Sequence, residues 1–307
     1  MHAWSLENII VDRRKKIGVI GNGVMGSAIA IRLLECGYPV YVRDRNDPKM
    51  AALVERGATA TPSPQALTAQ AEVVITSLNT AEIVETVVFG PSGIAESATP
   101  EKLLIDMSSI DPKSTQDMAS RLRAEHAMSW VDAPLSGGAP AVAKGALTLM
   151  IGGEVADVQR AKEVLADLAA NMTHMGPSGA GQTTKLINQV LCAANFLSVA
   201  EATRLALDAG VDATKIPQAL AGGRADSRIL QEYMSKMAVF DYTPTGRIDN
   251  MLKDLESAQQ FAFAMRTPMP LTSLITDLHR MIVKAQLGPE DSAAYMKLFD
   301  FGQGESQ

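Results

Sequence analysis

The chain is predicted to be an α/β protein: a doubly wound, mostly parallel sheet with helices on both faces, followed by an all-α carboxyl-terminal half. Three observations predict this. From Lys16 to about Met175, short uninterrupted apolar runs alternate with longer stretches of helical periodicity, the pattern of strands buried on both faces. After Gly181 the strand-like runs stop. Finally, 307 residues, 47% of them hydrophobic and 20% charged, suffice for two domains with cores of their own.

Ile17-Gly18-Val19-Ile20 reads as the first buried strand, and residues 24–34 as a helix because apolar side chains recur at three- and four-residue spacing. Val40-Tyr41-Val42 is the second strand, and residues 50–56 form a helix. The apolar runs at 73–76, 103–106 and 130–132 continue the sheet, with helices between them. Residues 147–151 and 172–175 add strands, partly antiparallel. The turn-rich Gly176-Pro177-Ser178-Gly179 then marks a boundary. Beyond it a long helix is expected over 184–210, followed by helices at 215–221, 227–237, 249–265, 270–284 and 290–299. The expected organisation is a lead-in at 1–15, an α/β domain at 16–177 and an all-helical domain at 178–307.

Composition excludes several functions. A net charge of −6 argues against nucleic acid as a partner, since neutralising phosphates needs a basic surface. Two cysteines, Cys36 and Cys192, make no disulfide framework and point to a reducing compartment. No uninterrupted apolar run approaches the ~18–20 residues of a membrane span. Residues 1–12 lack the apolar core and cleavage site of a signal peptide, so cytoplasm is expected, and the basic run at 13–16 reads as a solvated lead-in. The expected partner is a small molecule.

Gly21-Asn22-Gly23-Val24-Met25-Gly26 is a G-x-G-x-x-G run that leaves the first strand and opens the first helix. In that setting the first glycine allows a tight turn, the second lets a pyrophosphate approach the backbone, and the third lets helix and strand pack closely. The helix N-terminus offers free N–H groups to the phosphates. This is the Rossmann dinucleotide-binding arrangement. Asp44, at the end of the second strand, is placed to accept hydrogen bonds from both ribose hydroxyls and to repel a 2′-phosphate. Arg45 beside it is able to hold that phosphate instead. NAD is the expected cofactor, with NADP the alternative.

A nicotinamide enzyme needs a group to move the hydroxyl proton. The histidines His2, His126, His174 and His279 have no catalytic-looking neighbours and read as surface or packing residues. No Cys/His/carboxylate spacing resembles a metal site. Lys185 fits better: it lies in the first turns of the long helix with Asn188 and Gln189 at i+3 and i+4 on the same face. The helix N-terminus and partial burial both favour the neutral amine. Asp132-Ala133-Pro134-Leu135-Ser136-Gly137-Gly138 leaves a strand and presents a serine with two bare glycine amides, a seat for a carboxylate. Lys253-Asp254-Leu255 is a further charged cluster.

Together these segments resemble the β-hydroxyacid dehydrogenase family, from about Lys16 to Phe299. The resemblance rests on GNGVMG at 21–26, IDMSSIDP at 105–112, DAPLSGG at 132–138, GAGQTTKLINQ at 179–189 and KDL at 253–255. Asp44-Arg45-Asn46, Asn188-Gln189, Gly222-Gly223 and Arg247-Ile248-Asp249 are most similar to the family's tartronate semialdehyde reductase branch. The resemblance implies an NAD(P)-dependent oxidoreductase that interconverts a short 3-hydroxy acid and its semialdehyde. It implies Lys185 as general acid/base and Asn188 as the residue orienting Lys185 and the substrate hydroxyl. It also implies that Ser136, Gly137 and Gly138 hold the substrate carboxylate, and that Leu78, Asn79, Ser109 and Lys253 contact the cofactor. Two positions depart from the pattern: Gly246 stands where an aromatic residue is expected, and Arg224 adds a cation in place of an apolar residue. Rival readings are imine reduction, which Lys185 disfavours, a larger sugar acid as substrate, and a non-catalytic cofactor-binding scaffold. The helical half is too short for a 6-phosphogluconate enzyme. The long apolar helix predicts a homodimer or homotetramer.

Overall fold

Nine strands form one sheet among the described residues, 14–299, of the computed structural model. They are β1 Ile17–Ile20, β2 Val40–Arg43, β3 Thr59–Ala60, β4 Val73–Thr76, β5 Leu103–Asp106, β6 Ser129–Asp132, β7 Leu135–Ser136, β8 Leu147–Gly152 and β9 Ala169–Gly176. The helices between them are α1 Val24–Glu35, α2 Asp47–Val54, α3 Pro64–Gln70, α4 Ala81–Phe89, α5 Pro112–His126, α6 Gly138–Ala143 and α7 Val155–Leu165. β1 pairs in parallel with β2 and β4, β2 with β3, β4 with β5, and β5 with β6. The order 3-2-1-4-5-6 makes the β1/β4 boundary the point where strand order reverses, the usual ligand crevice of such sheets.

Alternation along the strands sorts the core onto two faces. Ile17, Val19, Val73, Ile75, Leu103, Ile105 and Val131 share one cluster, while Ile20, Val74, Leu104 and Trp130 belong to another. Gly18 is required by packing, since a Cβ there would lie 2.1 Å from Leu67 Cδ2 on α3.

Beyond β6 the direction changes. β8 runs antiparallel to β6 and β7 on one edge and parallel to β9 on the other, which agrees with the partly antiparallel expectation. Two short strands, β3 and β7, escape the sequence reading because two residues carry no periodicity. Of the basic lead-in, Arg14 pairs with Asp167 at 3.0 Å and Lys15 with Glu163 at 2.5 Å, both part-exposed, and Lys16 is exposed. The stretch at 1–12, with His2, and Arg13 of the basic run lie outside the described residues.

The chain divides into two compact units between Thr183 and Thr184, six residues past the end of the α/β domain expected at 177. The long helix, α8 Ala180–Asp208, also starts four residues earlier than 184. The cause is distant in sequence. The Asp132 carboxylate accepts N–H bonds from Gly179 at 2.9 Å and Gln182 at 3.1 Å, capping the helix from the end of β6.

The second unit contains the rest of α8, then α9 Ile216–Leu220, α10 Arg228–Ala238, α11 Ile248–Ala264 and α12 Pro270–Lys284. The last segment, expected as a helix over 290–299, is instead a 3₁₀ run, Ser292–Phe299. Asp291 starts it, accepting from the Ala293 N–H and also from Thr245 and Gly246. The core of this unit gathers Ala193, Phe196, Leu197 and Ala200 of α8 around Met234, Leu255 and Tyr295. By length and composition α8 is apolar enough to cross a membrane. Its inward face is the core just described.

Candidate active site

The glycine loop has the geometry its motif demands. Gly21 has φ +91°, and a Cβ there would lie 2.3 Å from the Ser77 carbonyl oxygen. A Cβ on Gly26 would lie 1.9 Å from the Gly21 carbonyl, so the third glycine fixes the approach of α1 to the turn. Gly23 differs: nothing lies within 4 Å of its added Cβ. The space in front of the α1 N-terminus is thus kept clear by a glycine that neither its backbone conformation nor its packing requires. Asn22 is buried, and both polar atoms of its side chain lack a partner within the protein. These features fit a dinucleotide pyrophosphate. Val24 is exposed, and Met25 packs against the core beneath.

Asp44 follows β2 and is held by the backbone. Its Oδ2 accepts the Asn22 N–H at 2.6 Å and its Oδ1 the Asn46 N–H at 2.8 Å. The carboxylate is thereby fixed beside the glycine loop, while Arg45 points outward as an exposed residue.

Leu78 and Asn79 follow β4, and Ser109 follows β5, at the same carboxyl end of the parallel strands. The Leu78 N–H donates to Ser108 Oγ at 2.9 Å, and Ser108 N–H in turn donates to Asp106 Oδ1 at 3.1 Å. The buried Asp106 carboxyl is pushed up by desolvation. Gln182 ties this loop to the start of α8, donating to the Ser108 carbonyl at 2.8 Å and accepting the Ile110 N–H at 3.3 Å. Desolvation likewise raises Asp132 to about 6, against the two helix amides that favour its charged form.

Ser136 ends β7. Gly137 and Gly138 follow with φ +125° and +67°, and α6 begins there. Gly137 is exposed, and Ser136 and Gly138 beside it are half-buried.

The second unit holds a buried lysine in a polar network. Lys185 is 9% exposed, and its Nζ donates to Gln189 Oε1 at 2.8 Å. Asn188 Nδ2 donates to the same oxygen at 2.9 Å and to Cys192 Sγ at 3.7 Å. Gln189 Nε2 donates to Asp254 Oδ2 at 2.6 Å, and Lys253 Nζ lies 3.3 Å from Asp254 Oδ1. Burial pushes the Lys185 ammonium below the ordinary lysine value, and the Asp254 carboxylate opposes the shift. The expected contribution of the helix N-terminus needs correcting. With α8 starting at Ala180, Lys185 lies in the second turn, beyond the reach of the terminal dipole, and burial is the main cause.

The structure thus gathers Gly21–Gly26, Asp44, Leu78, Asn79, Ser109 and Ser136–Gly138 at one end of the sheet, and Lys185, Asn188 and Lys253 around one polar network of the helical unit. Sequence reasoning assigned no role to Gln189, Asp254, Gln182 or Ser108, nor to the Asp132 carboxylate as a cap. The signals available for them were the i,i+4 spacing of Lys185 and Gln189 and the place of the others within the motifs at 105–112, 132–138, 179–189 and 253–255. Among the histidines, His126 ends α5, His174 Nε2 lies 2.9 Å from the Gly153 carbonyl, and His279 is buried against Tyr295. Each has a structural setting. Gly246 and Arg224 both lie on exposed loops, Gly246 donating to Asp291 at 3.1 Å.

The glycine loop, its fixed carboxylate and the buried lysine define a nicotinamide-dinucleotide-dependent dehydrogenase. Comparison with known proteins agrees. A profile of the NAD binding domain of 6-phosphogluconate dehydrogenase matches residues 16–176, and one described as NAD-binding of NADP-dependent 3-hydroxyisobutyrate dehydrogenase matches 179–299. The 2-(hydroxymethyl)glutarate dehydrogenase of Eubacterium barkeri is 33% identical over 297 residues, covering 96% of this chain and 98% of that one. The 2-hydroxy-3-oxopropionate reductase of Escherichia coli is 34% identical over 263 residues, or 86% and 89% of the two chains. The crystal structure of 3-hydroxyisobutyrate dehydrogenase from Salmonella typhimurium matches with a TM-score of 0.82 at 30% identity, over 93% of this chain and 100% of that one. The chain belongs to the β-hydroxyacid dehydrogenase family and is an NAD(P)-dependent oxidoreductase.

Proposed function

We propose that the enzyme interconverts a short 3-hydroxy acid and its semialdehyde in the cytoplasm, with NAD preferred. Tartronate semialdehyde/glycerate and methylmalonate semialdehyde/3-hydroxyisobutyrate are the leading pairs. The observation that carries this reading is the buried Lys185, whose Nζ donates to a neutral amide rather than to a carboxylate. An amine so placed is able both to give and to take a proton. A nicotinamide held there would supply or accept the hydride. Lys185 gives its proton to the aldehyde oxygen during reduction and takes it from the hydroxyl during oxidation. Asn188 orients the substrate hydroxyl, while Ser136, Gly137 and Gly138 hold the carboxylate through the serine hydroxyl and backbone amides. Leu78, Asn79, Ser109 and Lys253 are the residues that would hold the cofactor. Asp44, fixed by two backbone amides, favours a ribose with a free 2′-hydroxyl over a 2′-phosphate.

An initial-rate panel tests this. Purified enzyme with NADH should reduce tartronate or methylmalonate semialdehyde faster than succinic semialdehyde or glyoxylate, and should do so better than with NADPH. Turnover confined to a longer sugar acid such as threonate, or to an imine, would reject the substrate assignment. A preference for NADPH would reject the role given to Asp44.

The second unit also carries exposed apolar side chains at helical spacing, Ile187 at 55% and Leu191 at 59% on α8, and Phe263 at 86% near the end of α11. A surface of this kind favours self-association. Sedimentation at micromolar concentration should show a dimer or tetramer, and a monomer there would contradict it.

A further inference from the structure

Tyr233 of α10 docks on the stripe of α8 that carries the buried lysine. Its ring meets Phe196 edge-on, with centroids 4.7 Å apart and planes at 88°. Phe196, Cys192, Asn188 and Lys185 recur at four-, four- and three-residue spacing, so they share one face of the helix. The Cys192 thiol lies within electrostatic reach of both the Tyr233 phenol and the Lys185 amine. The phenol end turns to the loop before α11, where its oxygen lies 2.8 Å from Thr245 Oγ1.

The direction of that hydrogen bond is fixed from its far end. Asp291 is buried, and its Oδ2 accepts the Thr245 N–H at 2.6 Å, the Thr245 hydroxyl at 2.7 Å and the Gly246 N–H at 3.1 Å. Burial opposes its charge, but these donors and the Ala293 N–H hold the carboxyl below the usual aspartate range. An ionised carboxylate only accepts, so the single Thr245 hydroxyl proton goes to Asp291. The proton between Thr245 and Tyr233 therefore comes from the phenol, whose own ionisation is pushed up by burial. Tyr233 is left with oxygen lone pairs and no proton to offer. Among the described residues nothing donates to that oxygen. The residue after Thr245 is Gly246, where an added Cβ meets nothing within 4 Å.

We propose that Tyr233 is a specificity-determining residue: its phenol oxygen, an acceptor only, beside the open space at Gly246, selects 3-hydroxy acids whose C2 substituent is or ends in a hydroxyl over those that carry hydrocarbon or a second carboxylate there. This rests on the reading of the enzyme as one for 3-hydroxy acids. In such an acid C1 is the carboxylate and C3 carries the reacting hydroxyl, so the C2 substituent is what distinguishes one substrate from the next. A hydroxyl on that substituent donates to the phenol oxygen. A methyl group in its place has nothing to donate and leaves a desolvated oxygen unpaired. A carboxylate sets lone pairs against lone pairs. The relay from Tyr233 through Thr245 to Asp291 thus turns a group that ordinarily both gives and accepts into a reader of donors.

Two pairs of isosteric substrates test the proposal, each assayed in the oxidation direction with the full-length parent and with Tyr233→Phe. That variant keeps the ring against Phe196 and removes the oxygen. The first pair is glycerate and 3-hydroxyisobutyrate. The second, one carbon longer at C2, is 3-hydroxy-2-(hydroxymethyl)propanoate and 2-(hydroxymethyl)butanoate. Within each pair a hydroxyl stands where the other acid has a methyl group. The quantity read is the hydroxyl-to-methyl ratio of kcat/KM, from which the intrinsic reactivity of the acids cancels when the two enzymes are compared. The ratio should fall by about tenfold in Tyr233→Phe for at least one pair, the size expected of one neutral hydrogen bond. The pair that responds gives the length of the substituent. The melting temperature of the variant should stay close to that of the parent.

The proposal is overturned if the ratio stays within about threefold of the parent for both pairs, or if the parent turns over only the methyl members. A purely structural role would lower both members of a pair together with the melting temperature and leave the ratio where it was, which also overturns it. The same panel separates the two layers. If the parent oxidises none of the four acids, the 3-hydroxy acid reading fails and the role of Tyr233 with it. If it oxidises them and the ratios are unmoved in the variant, only the role of Tyr233 fails.

Discussion

Replacing Lys185 with alanine is expected to lower kcat by about 10²–10⁴-fold while leaving the dissociation constant for NADH nearly unchanged. The side chain is 9% exposed and belongs to the helical unit. The dinucleotide motif lies at Gly21–Gly26 in the other unit, so the substitution leaves the residues of the phosphate loop unchanged. The pH profile carries the same information. Burial lowers the Lys185 pKa from the usual 10.5. Oxidation of the hydroxy acid needs the neutral amine, so kcat/KM in that direction should rise through a limb below the ordinary lysine range. Reduction needs the ammonium, and its rate should fall through that limb as pH rises. Rapid-quench or steady-state rates with the semialdehyde and the hydroxy acid measure both. A drop of less than about tenfold in Lys185→Ala would assign proton transfer to another group.

Two glycines of one motif should fail in different ways. At Gly23 the backbone has φ −68°, which any residue adopts, and an added methyl group meets nothing within 4 Å. Gly23→Ala should therefore keep its melting temperature close to the parent, at a capping cost of under about 1 kcal/mol. The methyl would occupy the space a pyrophosphate needs. Losing one or two charge-assisted hydrogen bonds of about 1.5–3 kcal/mol each predicts NADH binding weaker by ten- to a hundredfold or more. Gly26→Ala meets the Gly21 carbonyl at 1.9 Å instead. There the helix must shift, and about 1–3 kcal/mol of stability should be lost in spite of alanine's better helix propensity. NADH fluorescence titration and thermal unfolding of the two variants give the four numbers required. Equal NADH affinity in Gly23→Ala and the parent would remove the pyrophosphate from this loop.

Much of this site is readable from local spacing. The glycine run spans six residues and opens the helix that follows, and Asp44 is set by the length of one strand–helix–strand unit. Lys185, Asn188 and Gln189 share a face because three and four residues nearly complete a helical turn. What governs Lys185 is less local. Asp254 is 65 residues from Gln189, and α11 brings it there only because Met251, Leu255 and Ala258 pack inward. From the sequence, Lys253-Asp254 is an ordinary charged pair on a helix.

The sequence by itself determined the α/β half with its parallel strands, the helical half, the dinucleotide loop and the lysine that suits proton transfer. Each is written in periodicity or in a short motif, where neighbours in the chain are neighbours in space. Only the tertiary structure decided where α8 begins, which strands β8 reverses against, that the final segment is a 3₁₀ run, and which amide holds Lys185. The α8 cap joins residues 47 and 50 positions apart, and the Gln182 latch joins residues 72 and 74 positions apart. Such contacts depend on buried polar groups finding partners once the apolar surfaces have packed, and neither periodicity nor a short motif encodes which partner that will be.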